Sequence, residues 1–132
     1  DVYDYQDRLV TLRTDKEVYV SGETVTFTVT NQAGFDKNFR VTGVEQRQAG
    51  RWVEVLWNAP CGCDPCNYMG YVEPGQAFSM TWDQSIFDRE QGCMTAPAGT
   101  YRLAITGLYG YQDDNGCETY HSAVYSNEFV VQ

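Results

Sequence analysis

The chain predicts an all-β fold, a sandwich of about seven antiparallel strands, on three observations. Apolar and polar residues alternate with period two in segment after segment, while helical periodicity is nearly absent. Clusters of Gly, Pro, Asn and Ser punctuate those segments at the intervals short strands require. The length of 132 residues suits one domain with one core that stands without metal or disulfide support, spanning 1–132.

The strands follow in order. Residues 9–13 alternate with Val10 and Leu12 inward. Residues 24–30 are the clearest, with Val25, Phe27 and Val29 on one face and four threonines on the other, the pattern of a sheet with one buried and one wet face. Turns bracket that strand at Ser21-Gly22-Glu23 and Asn31-Gln32-Ala33-Gly34. Phe39, Val41 and Val44 mark a third strand, and residues 51–56 a fourth that pairs with it across Gln48-Ala49-Gly50. After the Pro74-Gly75 turn, residues 76–82 place Phe78, Met80 and Trp82 on one face. Tyr101, Leu103 and Ile105 define the sixth, and residues 127–131 the last, with Phe129 and Val131 inward. Seven short strands with turns between them are the pattern of an immunoglobulin-like sandwich. Two long connections remain, 57–69 and 109–121, and both hold cysteines; connections of that length are expected to be functional or tied down. Residues 1–8 are expected as an extended N-terminal arm that docks on a neighbour, or as a frayed end.

Five cysteines, an odd number, leave at least one without a partner inside the monomer. Cys61, Cys63 and Cys66 crowd one loop, with Cys93 and Cys117 further on. One reading is two disulfides from that loop to Cys93 and Cys117, in an oxidising compartment, with one thiol left over. The other is zinc, for which Cys63-Asp64-Pro65-Cys66 supplies half a ligand set that Cys93, Cys117 or His121 would have to complete. A leftover thiol also fits a bridge to another chain.

Eighteen acidic against nine basic residues give a net charge of −9, which repels nucleic-acid phosphates and anionic lipid. No apolar run reaches membrane-spanning length, so neither nucleic acid nor membrane insertion is expected. A signal peptide is expected to have been removed, leaving an extracellular, periplasmic or cell-surface protein, bacterial by preference because no Asn-x-Ser/Thr sequon occurs.

The block Val18-Tyr19-Val20-Ser21-Gly22-Glu23-Thr24-Val25-Thr26-Phe27-Thr28-Val29-Thr30-Asn31 resembles the second strand region of bacterial immunoglobulin-like domains, and Val72-Glu73-Pro74-Gly75-Gln76-Ala77-Phe78-Ser79-Met80-Thr81-Trp82-Asp83 and Pro97-Ala98-Gly99-Thr100-Tyr101-Arg102-Leu103 are similar to the BsuPI-type intracellular proteinase inhibitor family. The resemblance implies the sandwich fold and, as one functional alternative, protease inhibition through an exposed loop, for which 61–66 is the nominee. The cysteine-rich loop departs from that family. Tyr101 also matches the tyrosine corner of sandwich domains, whose hydroxyl bonds a nearby backbone group.

Chemistry-bearing motifs are few. The single histidine, His121, has no nucleophile motif beside it, and no phosphate loop or dinucleotide fingerprint occurs; no catalysis is expected. Asp113, Asp114, Asn115 and Glu118 present oxygen ligands in a turn that calcium would accept, without the EF-hand spacing. Trp57, Tyr68, Tyr109, Tyr111 and Tyr120 would form an aromatic contact surface for sugars or protein, or cover the sandwich edge. The expected function is a non-catalytic exported domain acting through protein contact, with another protein or copies of itself, in adhesion or assembly of a surface structure. The alternatives are the protease inhibitor and a carbohydrate- or metal-binding module, with no cofactor expected beyond a calcium or zinc option.

Overall fold

The computed structural model describes residues 10–32, 37–55, 69–112, 116–120 and 124–132. They form thirteen strands: β1 (Val10–Thr14), β2 (Val18–Tyr19), β3 (Val25–Asn31), β4 (Lys37–Gln48), β5 (Arg51–Val55), β6 (Met69–Val72), β7 (Ala77–Trp82), β8 (Ser85–Asp88), β9 (Gly92–Thr95), β10 (Gly99–Gln112), β11 (Gly116–Tyr120), β12 (Val124–Tyr125) and β13 (Phe129–Val131). The described residues contain no helix. The count of about seven strands is therefore low. The seven expected strands are present as β1, β3, β4, β5, β7, β10 and β13, and six short ones were not expected.

Alternation does what the period-two pattern requires. In β3, Val25, Phe27 and Val29 are buried and the intervening threonines are half-buried. A small sheet runs β1-β3-β7, and a large one β2-β13-β10-β4-β5, with β6, β11 and β12 joined to its long strands. Inward residues of both, from Leu12, Phe27 and Trp82 to Val44, Leu103 and Phe129, merge into one core cluster, so the sheets are the two layers of a sandwich. This strand order, with β13 and β10 beside β4 in one sheet and β1, β3 and β7 in the other, is that of an immunoglobulin-like fold.

The long connection expected over 109–121 is not a loop among its described residues. β10 continues through Gln112 and pairs antiparallel with β11, so that Tyr111 stands opposite Cys117 and Gly110 opposite Glu118. Tyr, Thr and Cys at alternating positions suit a strand as well as a loop, and periodicity alone did not distinguish them. The other long connection, 57–68, lies outside the described residues.

Turn chemistry sets the register. Gln48 pairs with Arg51 across Ala49-Gly50, and both turn residues have positive φ, 51° and 79°. That is the two-residue hairpin turn whose twist matches its strands. At Pro74-Gly75, Gly75 has φ 76° and the Gln76 N–H donates to Glu73 O at 3.0 Å, as a proline-glycine turn requires.

The aromatic centre is Trp82, edge-on to Tyr101 at 6.0 Å and to Phe129 at 6.4 Å, with Tyr101 stacked on Phe129 at 6.1 Å. The Tyr101 hydroxyl donates to Pro97 O, bonding the backbone four residues upstream. Tyr19 lies edge-on to Phe129 at 5.6 Å, and its hydroxyl donates to the Asp15 carboxylate while accepting the Lys16 N–H. Between β12 and β13, Ser126 replaces a ladder pair: its N–H donates to Leu103 O and its hydroxyl accepts from Leu103 N, both at 2.9 Å.

Burial pushes the Tyr101 phenol up to about 12. Burial, with the Asp15 carboxylate as the next cause, pushes Tyr19 to about 12 as well. Both values lie above the ordinary 10, so tyrosines of the unfolded chain ionise first. The stability they contribute is present below pH 10 and is lost as pH rises toward 12. Melting temperatures are expected to hold from pH 7 to 9 and to fall between 10 and 12, with a shallower fall in a Tyr19→Phe/Tyr101→Phe protein. Equal alkaline slopes for the two proteins would contradict the assignment.

Candidate protein-contact face

The outer face of the large sheet carries an organised set of half-buried and exposed side chains. β10 turns Tyr101, Leu103 and Ile105 into the core, so Arg102 must point outward. Register then brings Glu45 of β4 directly opposite Arg102, and Trp52 of β5 opposite Arg47 of β4. With Tyr125 of β12, four strands thereby place one guanidinium among two rings and a carboxylate. The Arg102 guanidinium lies 3.7 Å from the Tyr125 ring centroid and 4.4 Å from that of Trp52. Its Nε and Nη2 both reach Glu45 Oε1 at 2.7 Å. Arg47 continues the line, 5.6 Å over Trp52 and 3.1 Å from Glu128 Oε1.

A guanidinium sandwiched between rings is fixed in orientation by cation–π attraction, at about 0.5–2 kcal/mol per pair depending on exposure. The Glu45 pair, with side chains only about a fifth exposed, neutralises it. The face is therefore rigid, and its rings and guanidinium keep little conformational freedom to lose on contact. Beside the ladder, Val130 and Val18 pair across β13 and β2; they remain 38% and 49% exposed, and Tyr125 44%. Solvent-facing valines next to a fixed Arg–Tyr–Trp set have the composition of a contact surface.

None of the outward-facing residues named above is one that sequence singled out. Cys61, Cys63, Cys66, Trp57, Tyr68, Asp113, Asp114, Asn115 and His121 lie outside the described residues. Tyr109, Tyr111, Cys117, Glu118 and Tyr120 are described only as positions on β10 and β11, where Tyr109 stands opposite Thr119 and Tyr120 opposite Leu108. Cys93 sits on β9, opposite Phe87 of β8, and is disulfide-bonded. No group of three or more metal-ligating side chains occurs among the described residues. The ladder itself was missed: Trp52 and Arg102 are fifty positions apart, and only strand register joins them. The available signal was the outward parity of Arg102 between Tyr101 and Leu103.

No family model and no curated protein matches the chain. Among solved structures, the chain is similar to the ASH/PapD-like domain of human CEP192 (PapD-like domain 7), at 12% identity and a TM-score of 0.34, covering 89% of this chain and 84% of that one. The immunoglobulin-like assignment rests on the strand order and register described above.

Proposed function

We propose that this chain is a non-catalytic immunoglobulin-like module that works by protein contact, with the outer face of its large sheet as the contact surface. The observation that carries the reading is the fixed Trp52–Arg102–Tyr125 set bordered by exposed Val18 and Val130. Residues of these types dominate the centres of protein interfaces, where rigid aromatic and guanidinium groups bury much area at small entropic cost. The disulfide at Cys93 favours an oxidising, extracytoplasmic setting, in which adhesion or assembly of a surface structure is the task.

The test is a photo-crosslinking benzoylphenylalanine at position 130, compared with the same group at exposed position 73 on the Glu73-Pro74-Gly75 turn. Irradiation in the producing cells is expected to give a discrete adduct from position 130, with this chain or with a second protein, and none from 73. No adduct from 130, or the same adduct pattern from both, rejects the face.

A further inference from the structure

A second site lies on the flank of the sandwich, where β5 borders the contact face. Between the β4–β5 hairpin and the β8–β9 hairpin is an open cleft of about 470 Å³. Its floor is apolar, formed by Val55, Ile86 and Met94. Its rim holds three carboxylates, Glu54, Asp88 and Glu90, against one guanidinium, Arg89. Asp88 accepts the Glu90 and Gln91 N–H groups at 2.8 and 2.9 Å, and these bonds hold its carboxyl below the usual range, so the turn presents fixed negative charge.

Two further features define what fits. Gln48 Nε2 donates to Gln46 Oε1 at 2.9 Å, so the two amides hold each other at the cleft wall. Gln46 is braced from behind: a Cβ on Gly99 would stand 2.8 Å from Gln46 Nε2. The cleft also runs beside β5, the end strand of its sheet, which has β4 alone as a strand partner among the described residues. Arg51 closes the two-residue hairpin with Gln48, so Arg51, Val53 and Val55 bond toward β4, while Trp52 and Glu54 present N–H and C=O to the free edge.

An unpaired strand edge takes an extended chain, and an apolar floor under an acidic rim takes an aliphatic side chain next to a cationic one. An open cleft leaves a small molecule too exposed, since such ligands are mostly enclosed by their sites. We propose that this cleft binds an extended segment of another protein, laid along β5, that presents a Lys or Arg side chain beside an aliphatic one.

The experiment pans a random decapeptide phage library against the native, oxidised protein and measures the recovered peptide, fluorescein-labelled, by anisotropy. The pool is expected to be rich in Lys or Arg next to Val, Leu or Ile. Affinity is expected to fall at least tenfold in Glu54→Lys/Glu90→Lys and in Met94→Arg, and to stay within twofold in Glu73→Lys and Tyr125→Ala. The exposed Glu54 and Glu90 make the first variant safe for folding. No enrichment, an acidic pool, or binding that survives both cleft variants overturns the proposal. Loss of binding in Tyr125→Ala also overturns it, and would credit the outer face of the large sheet instead.

Discussion

Trp82→Ala is expected to lower stability by about 4 kcal/mol, within the range for truncating a buried large aromatic. Trp82 is fully buried and lies edge-on to both Tyr101 and Phe129, so it joins the small sheet to the large one. Its indole N–H also donates to Ser85 O at 3.1 Å, fixing the start of the β8–β9 hairpin. Removal therefore deletes apolar area, two aromatic contacts and one hydrogen bond, and leaves a cavity bounded by rings that cannot collapse into it. With an unfolding entropy typical of this length, the melting temperature should fall by roughly 10–15 °C. Trp82→Phe should lose about half as much. A loss under about 1 kcal/mol for the alanine variant would mean that the sheets are not joined through this residue.

Gln84→Ala is expected to cost about 3 kcal/mol, although Gln84 belongs to no strand. Its side chain is wholly buried. The amide nitrogen donates to Val20 O at 3.0 Å and Glu23 O at 2.8 Å, and the amide oxygen accepts the Gly22 N–H at 3.0 Å. One side chain thus closes the turn between β2 and β3, and its loss takes the partner from Glu23 O and the Gly22 N–H, at about 1–3 kcal/mol each when they stay dry. Gln84 also holds φ at 66°, which costs a non-glycine residue about 1–2 kcal/mol. Gln84→Gly is accordingly expected to be more stable than Gln84→Ala by about 1 kcal/mol, despite lacking the same bonds. Chemical denaturation of the three proteins checks both numbers, and an alanine variant as stable as the parent would remove the clamp. Hydrogen exchange at Gly22 should accelerate in both variants.

The inward faces of β1, β3 and β7, and of β10 over Tyr101, Leu103 and Ile105, were legible, because burial on one side of a sheet imposes period two on residues such as Val25, Phe27 and Val29. Short strands left no such trace. β2 has two residues, and β8 and β9 have four each, with Ile86 the one buried side chain between β8 and β9. Two or four residues cannot establish a period. Gln84 was silent for another reason. A buried amide is recognised by the backbone groups it meets, and those come from sixty positions away. The outer face was silent for a third. Glu45, Trp52, Arg102 and Tyr125 are ordinary surface residues in sequence, and the β10–β4 register, with its irregularities after Ala104 and Thr106, decides which of them meet.

β2 and β13 are the one parallel pair described among the antiparallel strands. Val130 N–H donates to Glu17 O at 2.8 Å and Gln132 N–H to Tyr19 O at 2.9 Å. Seen as a mechanical joint, this pair has an unusual property. A pull applied upstream of β2 and downstream of β13 drags two parallel strands in opposite directions along their length, so their cross-links are loaded together in shear. An antiparallel end strand pulled the same way would open one bond at a time. The joint places the load-bearing bonds next to the core rings of Tyr19 and Phe129, which any sliding must first separate. A module linked into a tensioned chain through its two ends would pass force first through β1 and its pairing with β3, and then into this joint.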